Sequence, residues 1–430
     1  MKVKFYTLGC KVNQYESQAI SEALIRKGFE ITSDKNADVI IVNSCTVTAS
    51  ADQKTRQAVH RFRRNNPDSV IVLTGCMPQA YPEKSEELTD ADIILGNKNN
   101  DTLPDLLCEF IKSRDRILSV CEHKKGDPFR GDTISGFDER TRASVKIQDG
   151  CNRFCSYCVI PYSRGRVRSK PLDILKKEVE TLAKKGYSEV VLVGINLSSY
   201  GQDINESFPA AVKTACDVEG IERVRLGSLE PDHLTDEVIE KLSSCEKLCP
   251  QFHLSLQSGC DRTLRSMNRH YTSDDFRKIA LKLRSTFNDC TLTTDVMVGF
   301  AGESEEDFSE SLAFVKEIGF EKVHVFPYSV RKGTKAEKLP GHLEKSVKEK
   351  RCKIMIEETE KLRREFFRRQ NGRIYTVIPE VTGKDGLTTG YTPNYIPVKF
   401  EMSDRHPREC IRVEITGTGD GDFCTGKIID

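Results

Sequence analysis

The stretch KIQDGCNRFCSYCVIPYSRGRVRSK, Lys146 to Lys170, decides the reading of this chain. Cys151, Cys155 and Cys158 form CxxxCxxC directly after a short β-run, ASVKIQ (143–148). Three thiolates this close can hold three irons of a cubane cluster, and no further cysteine follows before Cys216. The fourth iron is then open to an outside ligand. Structural zinc, the competing use of clustered cysteines, wants four closed ligands, usually as two paired dyads. Tyr157, just before the last cysteine, is placed to shield one face of such a cluster from water.

Outward from this stretch the chain alternates short apolar runs with helical periodicity. Downstream lie EVVLVG (189–194), RVRLGS (223–228), FHLSLQ (252–257), TLTTDVMVGF (291–300) and KVHVFPYS (322–329), which with ASVKIQ make six βα units. Six parallel units in place of eight predict an open, partial barrel with its chemistry at the carboxyl ends of the strands. Upstream, VKFYTL (3–8), ADVIIVN (37–43), SVIVLTG (69–75) and ADIILG (91–96) alternate with helical segments and predict a doubly wound parallel sheet. After a charged helix, the runs GRIYTVIPEVTG, YIPVKFEM and CIRVEITGTG, separated by turn residues, predict a small all-β barrel. The fold class is α/β, and the expected division is 1–123, a linker over 124–142, 143–369 with the exit helix, and 370–430.

The upstream sheet repeats the cysteine theme. Cys10 follows the first strand, Cys45 the second (NSCTVT) and Cys76 the third (TGCMPQ). All three occupy the loop leaving the carboxyl end of a parallel strand, and in a doubly wound sheet such loops converge on one crevice. Chance burial does not favour three repeats of one slot, so this is a second three-cysteine cluster site. Sixteen cysteines, with no apolar h-region at the N-terminus, fit a reducing compartment in which clustered thiols bind metal and disulfides do not persist. The expectation is a cytoplasmic chain with no membrane segment. A formal net charge of +1 by itself predicts neither a nucleic-acid nor a membrane partner.

The central motif in a βα-repeat chain resembles the radical S-adenosylmethionine (SAM) superfamily, which implies that the open iron chelates SAM and one electron cleaves it to a 5′-deoxyadenosyl radical. With GCKVNQYES, NSCTVT and TGCMPQ, nearly the whole chain resembles the methylthiotransferases. That resemblance implies two 4Fe-4S clusters and two SAM molecules, one the methyl donor and one the radical source. It also implies that the C-terminal barrel is an RNA-binding TRAM domain. GCKVNQYES, SCTVT and ADQKTRQ resemble the branch that methylthiolates carbon 2 of N6-threonylcarbamoyladenosine at position 37 of tRNA. The isopentenyladenosine branch typically shows GCQMN, and the branch acting on a ribosomal-protein aspartate GCPKN. Implied partners are tRNA and an electron donor such as flavodoxin or ferredoxin; the sulfur source is not implied. A non-catalytic iron–sulfur RNA-binding protein is the reading from another class, but electron carriers normally close all four iron positions.

SAM contacts are expected from strand-end loops: Gly194 and Asn196 in VGINLSSYG, Glu230 in GSLEP, and Gly299 in VGFAGE. Ser304 with Asp307 reads as a helix capping box. Cys260 reads as a small filler. RNA contact needs local positive charge. Arg164, Arg166, Arg168 and Lys170 alternate with other residues and, if extended, project from one face. HRFRR (60–64) and a net +4 over 348–370 add further cations. The C-terminal 60 residues carry seven Lys/Arg and nine Asp/Glu, so RNA binding there needs a local patch, Arg373, Lys399 and Arg412.

Overall fold

Runs of β-branched residues, each followed by a helix, build two parallel sheets in the computed structural model, which describes residues 1–131, 133–137, 140–402, 408–419 and 422–429. In the first, β1 (Lys2–Thr7), β2 (Glu30–Ile31), β3 (Val39–Ser44), β4 (Val70–Gly75), β5 (Ile93–Leu95) and β6 (Ile117–Ser119) lie in the order β2-β1-β3-β4-β5-β6, all parallel. Every residue of β3 and β4 is buried, as sheet strands covered on both faces must be. Helices 11–26 and 103–113 seal one face through Ile20, Leu24, Leu103 and Leu107, while helix 49–65 seals the other through Val59. The strand order reverses between β1 and β3, so the crevice of this sheet opens above their carboxyl ends. The two short strands β2 and β6 are additions to the four expected from the sequence.

The second sheet is an open row. β7 (Ala143–Lys146) is followed by a two-stranded ribbon of β8 (Gln148–Asp149) and β9 (Arg168–Ser169). Beyond these come β10 (Glu189–Val193), β11 (Arg223–Leu226), β12 (Ser228–Leu229), β13 (Gln251–Gln257), β14 (Thr291–Val298) and β15 (Lys322–Pro327). β11 and β12 are one course interrupted at Gly227, so the orders β11-β10-β7 and β12-β13-β14-β15 give the six parallel courses of a partial barrel. Its outward side chains, among them Val190, Leu192, Leu254 and Val296, join the helices in the main core. Ser304 and Asp307 form the expected capping box on helix 305–318.

Helix 345–368 crosses β14 and β15 and delivers the chain to a closed barrel. Its strands are β16 (Ile374–Thr382), β17 (Leu387–Tyr391), β18 (Pro397–Glu401), β19 (Ile411–Thr418) and β20 (Cys424–Ile428), around Val377, Val398, Phe400 and Val413. This barrel is bolted to the amino ends of the central strands. Arg225, buried against Glu189 at 2.9 Å, donates to the carbonyls of Pro393 (2.8 Å) and Thr392 (3.2 Å), and Arg223 donates to those of Thr376 (2.8 Å) and Tyr391 (3.1 Å). Among the described residues no helix is long and apolar enough to cross a membrane.

Candidate active site

The first triad is assembled by backbone geometry. Cys10 and Cys76 each follow a glycine at positive φ, Gly9 (+109°) and Gly75 (+99°), so both strands end in a turn that L side chains resist. A methyl group at Gly75 would stand 2.5 Å from Asn43 Oδ1 and from the Ser44 carbonyl; at Gly9 it would stand 2.9 Å from Cys45 Cβ. The loops of Cys10 and Cys45 therefore touch. Buried Asn13 ties them, donating to the Ser44 carbonyl at 2.8 Å, while its Oδ1 accepts from Cys10 Sγ at 3.3 Å. Ser44 Oγ accepts from Met77 N at 3.1 Å and links the Cys45 and Cys76 loops. Burial pushes the Cys45 thiol up to about 11, with Cys76 and Cys10 near enough to add to the shift. Burial also raises Cys76. A bound metal displaces those protons and takes their place as the compensating positive charge.

The second triad sits on a loop clamped at its base by the β8–β9 ribbon. Gly150, at φ +71°, passes so close to this base that a Cβ would lie 1.9 Å from the Arg166 carbonyl. Each sulfur for which a donor is seen takes it from a different element. Cys151 Sγ accepts from Arg153 N (3.4 Å) and Asn196 Nδ2 (3.7 Å), and Cys155 Sγ accepts from Arg269 Nη1 (3.3 Å). Arg269 also donates to Glu230 Oε2 at 2.5 Å, so a carboxylate at the end of β12 is coupled through one guanidinium to a cysteine of the triad. Burial pushes Cys151 up to about 11 and raises Cys158 as well. Half-buried Tyr157 meets Phe300 edge-on at 6.3 Å. Three thiols per site, with donors aimed at the sulfurs of Cys76, Cys151 and Cys155, fit cubane clusters, in which each iron takes a single thiolate. Among the described residues no three His, Cys, Asp or Glu groups converge on a single metal ion.

Two of the expected SAM positions have a different physical reason for being glycine. A Cβ on Gly194 would stand 2.8 Å from Gln148 Oε1, which accepts from Asn196 N at 2.8 Å. At Gly299 it would stand 2.5 Å from Lys348 Cγ. In both places the chain's own side chains fill the space. Asn196 and Glu230 do face the cysteine loop, as their bonds to Cys151 and, through Arg269, to Cys155 show.

The basic stretch corrects the sequence expectation. Helix 160–164 ends in Arg164 and Gly165 turns the chain at φ +69°, so the four cations do not share an extended face. Arg164 is 1% exposed and donates to both oxygens of Glu16 (2.7 and 2.9 Å), to Asp149 (3.2 Å) and to Cys76 Sγ (3.2 Å). Arg168 is buried near Asp149 at 3.4 Å, and Lys170 is buried against Glu178. Only Arg166 is exposed, its guanidinium 4.6 Å from the Phe154 ring. Burial alone would raise the carboxyls of Glu16 and Asp149. The cations Arg164 and Lys146 hold both below the ordinary carboxylate range, with Arg168 acting further on Asp149. These partners lie outside the run, at separations of 8 residues for Lys170–Glu178, 15 for Arg164–Asp149 and 148 for Arg164–Glu16, which is why an alternating basic run reads as exposed.

Arg164 leaves the helix that follows the second triad and reaches a cysteine of the first. On the other flank buried Arg331, beyond β15, donates to Thr46 (2.8 Å) and Asp52 (2.5 Å) beside Cys45. Sequence reasoning missed Arg331, Arg269, Gln148 and Asn13. Of the barrel cations, Arg373 is paired with Asp289 and Lys399 with Asp385 (2.9 Å), while Arg412 is exposed on β19.

Residues 2–96 match the family described as Uncharacterized protein family UPF0004, and residues 145–315 match the Radical SAM superfamily. The chain is 36% identical over 424 residues to "Threonylcarbamoyladenosine tRNA methylthiotransferase MtaB" of Bacillus subtilis (strain 168), covering 97% of this chain and 94% of that one. It is 36% identical over 414 residues to "tRNA-2-methylthio-N(6)-dimethylallyladenosine synthase" of Clostridium botulinum (strain Langeland / NCTC 10281 / Type F), covering 93% and 92%. Among solved structures it is similar in fold to the radical S-adenosylmethionine methyltransferase TsrM from Kitasatospora setae, with TM-score 0.56, 15% identity and coverage of 76% and 74%.

Proposed function

The chain belongs to the radical SAM methylthiotransferase family, and from that premise we propose that it adds a methylthio group to carbon 2 of N6-threonylcarbamoyladenosine at position 37 of tRNA. Two SAM molecules serve the reaction, and two 4Fe-4S clusters are held by Cys10, Cys45 and Cys76 and by Cys151, Cys155 and Cys158. When bound, the central cluster supplies the electron that opens SAM, and the N-terminal cluster supplies the site of sulfur handling. The chain's own residues orient, insulate and join these sites. Asn196 and Arg269 donate to the central sulfurs, Glu230 is held ready for a polar group of SAM, and Tyr157 with Phe300 excludes water from one flank.

The observation that supports the proposal is the packing of helix 76–80, which begins at Cys76, on helix 160–164, which begins two residues after Cys158, with Arg164 donating to Cys76 Sγ at 3.2 Å. Transfer chemistry requires the two clusters to lie close together, and a packing contact between the segments that carry Cys76 and follow Cys158 supports that arrangement. The threonylcarbamoyl substrate is supported by GCKVNQYES and by the name of the Bacillus relative. The equally similar Clostridium relative favours, as the second reading, a dimethylallyl substrate. Residues 1–123 serve as the sulfur-handling domain, 124–142 as a linker, 143–369 as the radical domain and 370–430 as a TRAM-like RNA-binding domain, with flavodoxin or ferredoxin as electron donor.

Reduced, reconstituted protein should release 5′-deoxyadenosine from SAM. Nucleoside mass spectrometry of tRNA from cells lacking this chain should show unmethylthiolated threonylcarbamoyladenosine. Loss of the dimethylallyl product in its place would establish the second reading, and no SAM cleavage at all would end both.

A further inference from the structure

Helix 49–65 starts four residues after Cys45 and carries five Lys/Arg against one acid, Asp52. The structure uses these cations in two ways. Arg63 is spent inside the fold, on Asp92 (2.6 Å) and on the carbonyls of Pro67 and Ser69. Lys54, Arg61 and Arg64 point to solvent and, among the described residues, pair with no carboxylate. They follow one another at helical spacing along a groove whose lining also includes Tyr6, Leu8 and Gln57 and contains no acidic residue. The Arg61 guanidinium lies over two rings, 5.4 Å from the Tyr6 centroid and 4.9 Å from that of Phe62, contacts that hold its position while its N–H donors remain able to bind. Leu8 is two residues from Cys10, so the groove ends at the lip of the first triad's crevice.

We infer that this groove holds the sugar–phosphate backbone of the tRNA beside the segment that enters the crevice. The inference rests on the tRNA reading above. Ten residues separate Lys54 from Arg64, about 15 Å along a helix, a span that covers several phosphates of one strand. A guanidinium held on aromatic rings between two exposed cations, with no acid in the groove lining, suits a polyanion followed along its length.

The test is binding of unmodified and threonylcarbamoylated anticodon stem-loop RNA to the holoenzyme across a salt series. Lys54→Gln/Arg61→Gln/Arg64→Gln should weaken Kd by roughly tenfold or more near 0.1 M salt and flatten the slope of log Kd against log salt by about 2. SAM cleavage without RNA should stay unchanged. Lys54→Glu/Arg64→Glu, which leaves the Arg61 ring contacts alone, should do the same. Wild-type affinity and slope in both variants would overturn the inference while leaving the tRNA reading intact. Failure of the wild-type chain itself to bind would overturn both. Unchanged RNA affinity with slower reduction by an acidic flavodoxin would also overturn it and assign the groove to the electron donor.

Discussion

Arg164→Met should break the buried network that joins helix 160–164 to Glu16 and Cys76. The guanidinium is 1% exposed and answers two carboxylates, Glu16 and Asp149, and one sulfur, Cys76. Without it Glu16 keeps only Lys146, at 2.7 Å, in a setting where burial alone would neutralise it. Removing one partner of a buried ion pair costs about 3–5 kcal/mol, a large part of a marginal folding free energy of ~5–15 kcal/mol. Replacing both members, Arg164→Met/Glu16→Met, leaves the Lys146–Asp149 pair at 2.7 Å intact and should recover more than half of that loss. Arg164→Lys should fall between, because one ammonium cannot span Glu16 and Cys76 together. The assay is anaerobic guanidinium unfolding of reconstituted protein, with iron content and the potential of the N-terminal cluster measured alongside. Loss of the N–H to Cys76 should shift that potential to more negative values. A midpoint within about 1 kcal/mol of wild type for Arg164→Met, or a double variant no better than the single, would refute the argument.

Cys10→Ala should cost about half the iron and sulfide while SAM cleavage continues without methylthio product; full iron content would remove Cys10 from the cluster. Burial, with Arg168 alongside, lowers His123 from 6.5 to about 4. Between those values the unfolded chain binds more protons than the folded one, so stability falls as pH drops through the window. The His123 contribution amounts to about 2 kcal/mol by pH 5, and His123→Gln should flatten this part of the pH dependence of unfolding. Gly150→Ala forces a side chain into positive φ, at about 1–3 kcal/mol, and into the Arg166 carbonyl. It should strip iron from the central triad and abolish SAM cleavage, and a variant with full iron and activity would show that the loop base gives way.

Both cysteine triplets can be proposed from the sequence because their spacing and their slots after strands are local signals, and the buried runs of β3 and β4 are as plain as any. β2 and β6 escaped because strands of two and three residues have no periodicity of their own; pairing with β1 and β5 makes them. The alternation from Arg164 to Lys170 was read as one exposed face, whereas the acids that bury it, Glu16, Asp149 and Glu178, are recruited by tertiary packing. KVNQYES, read as a substrate marker, turned out to be interface as well: Asn13 joins two cysteine loops, Tyr15 donates to Glu178 at 2.7 Å and Glu16 receives Arg164. Cys260, expected as a filler, is buried and donates to Asp307 at 3.3 Å.

The C-terminal barrel shares hydrogen bonds with the amino ends of the central strands by offering backbone carbonyls to Arg223 and Arg225. Those arginines are half of a bargain whose other half lies about 170 residues on. Exchange of the barrel for a foreign one by recombination would strand Arg225 and Glu189 at an uncovered seam unless the incoming loop presented carbonyls where Thr392 and Pro393 do. Inheritance of this third part is therefore tied to the second: it can drift in its outward surface, but not in the loop by which it is held.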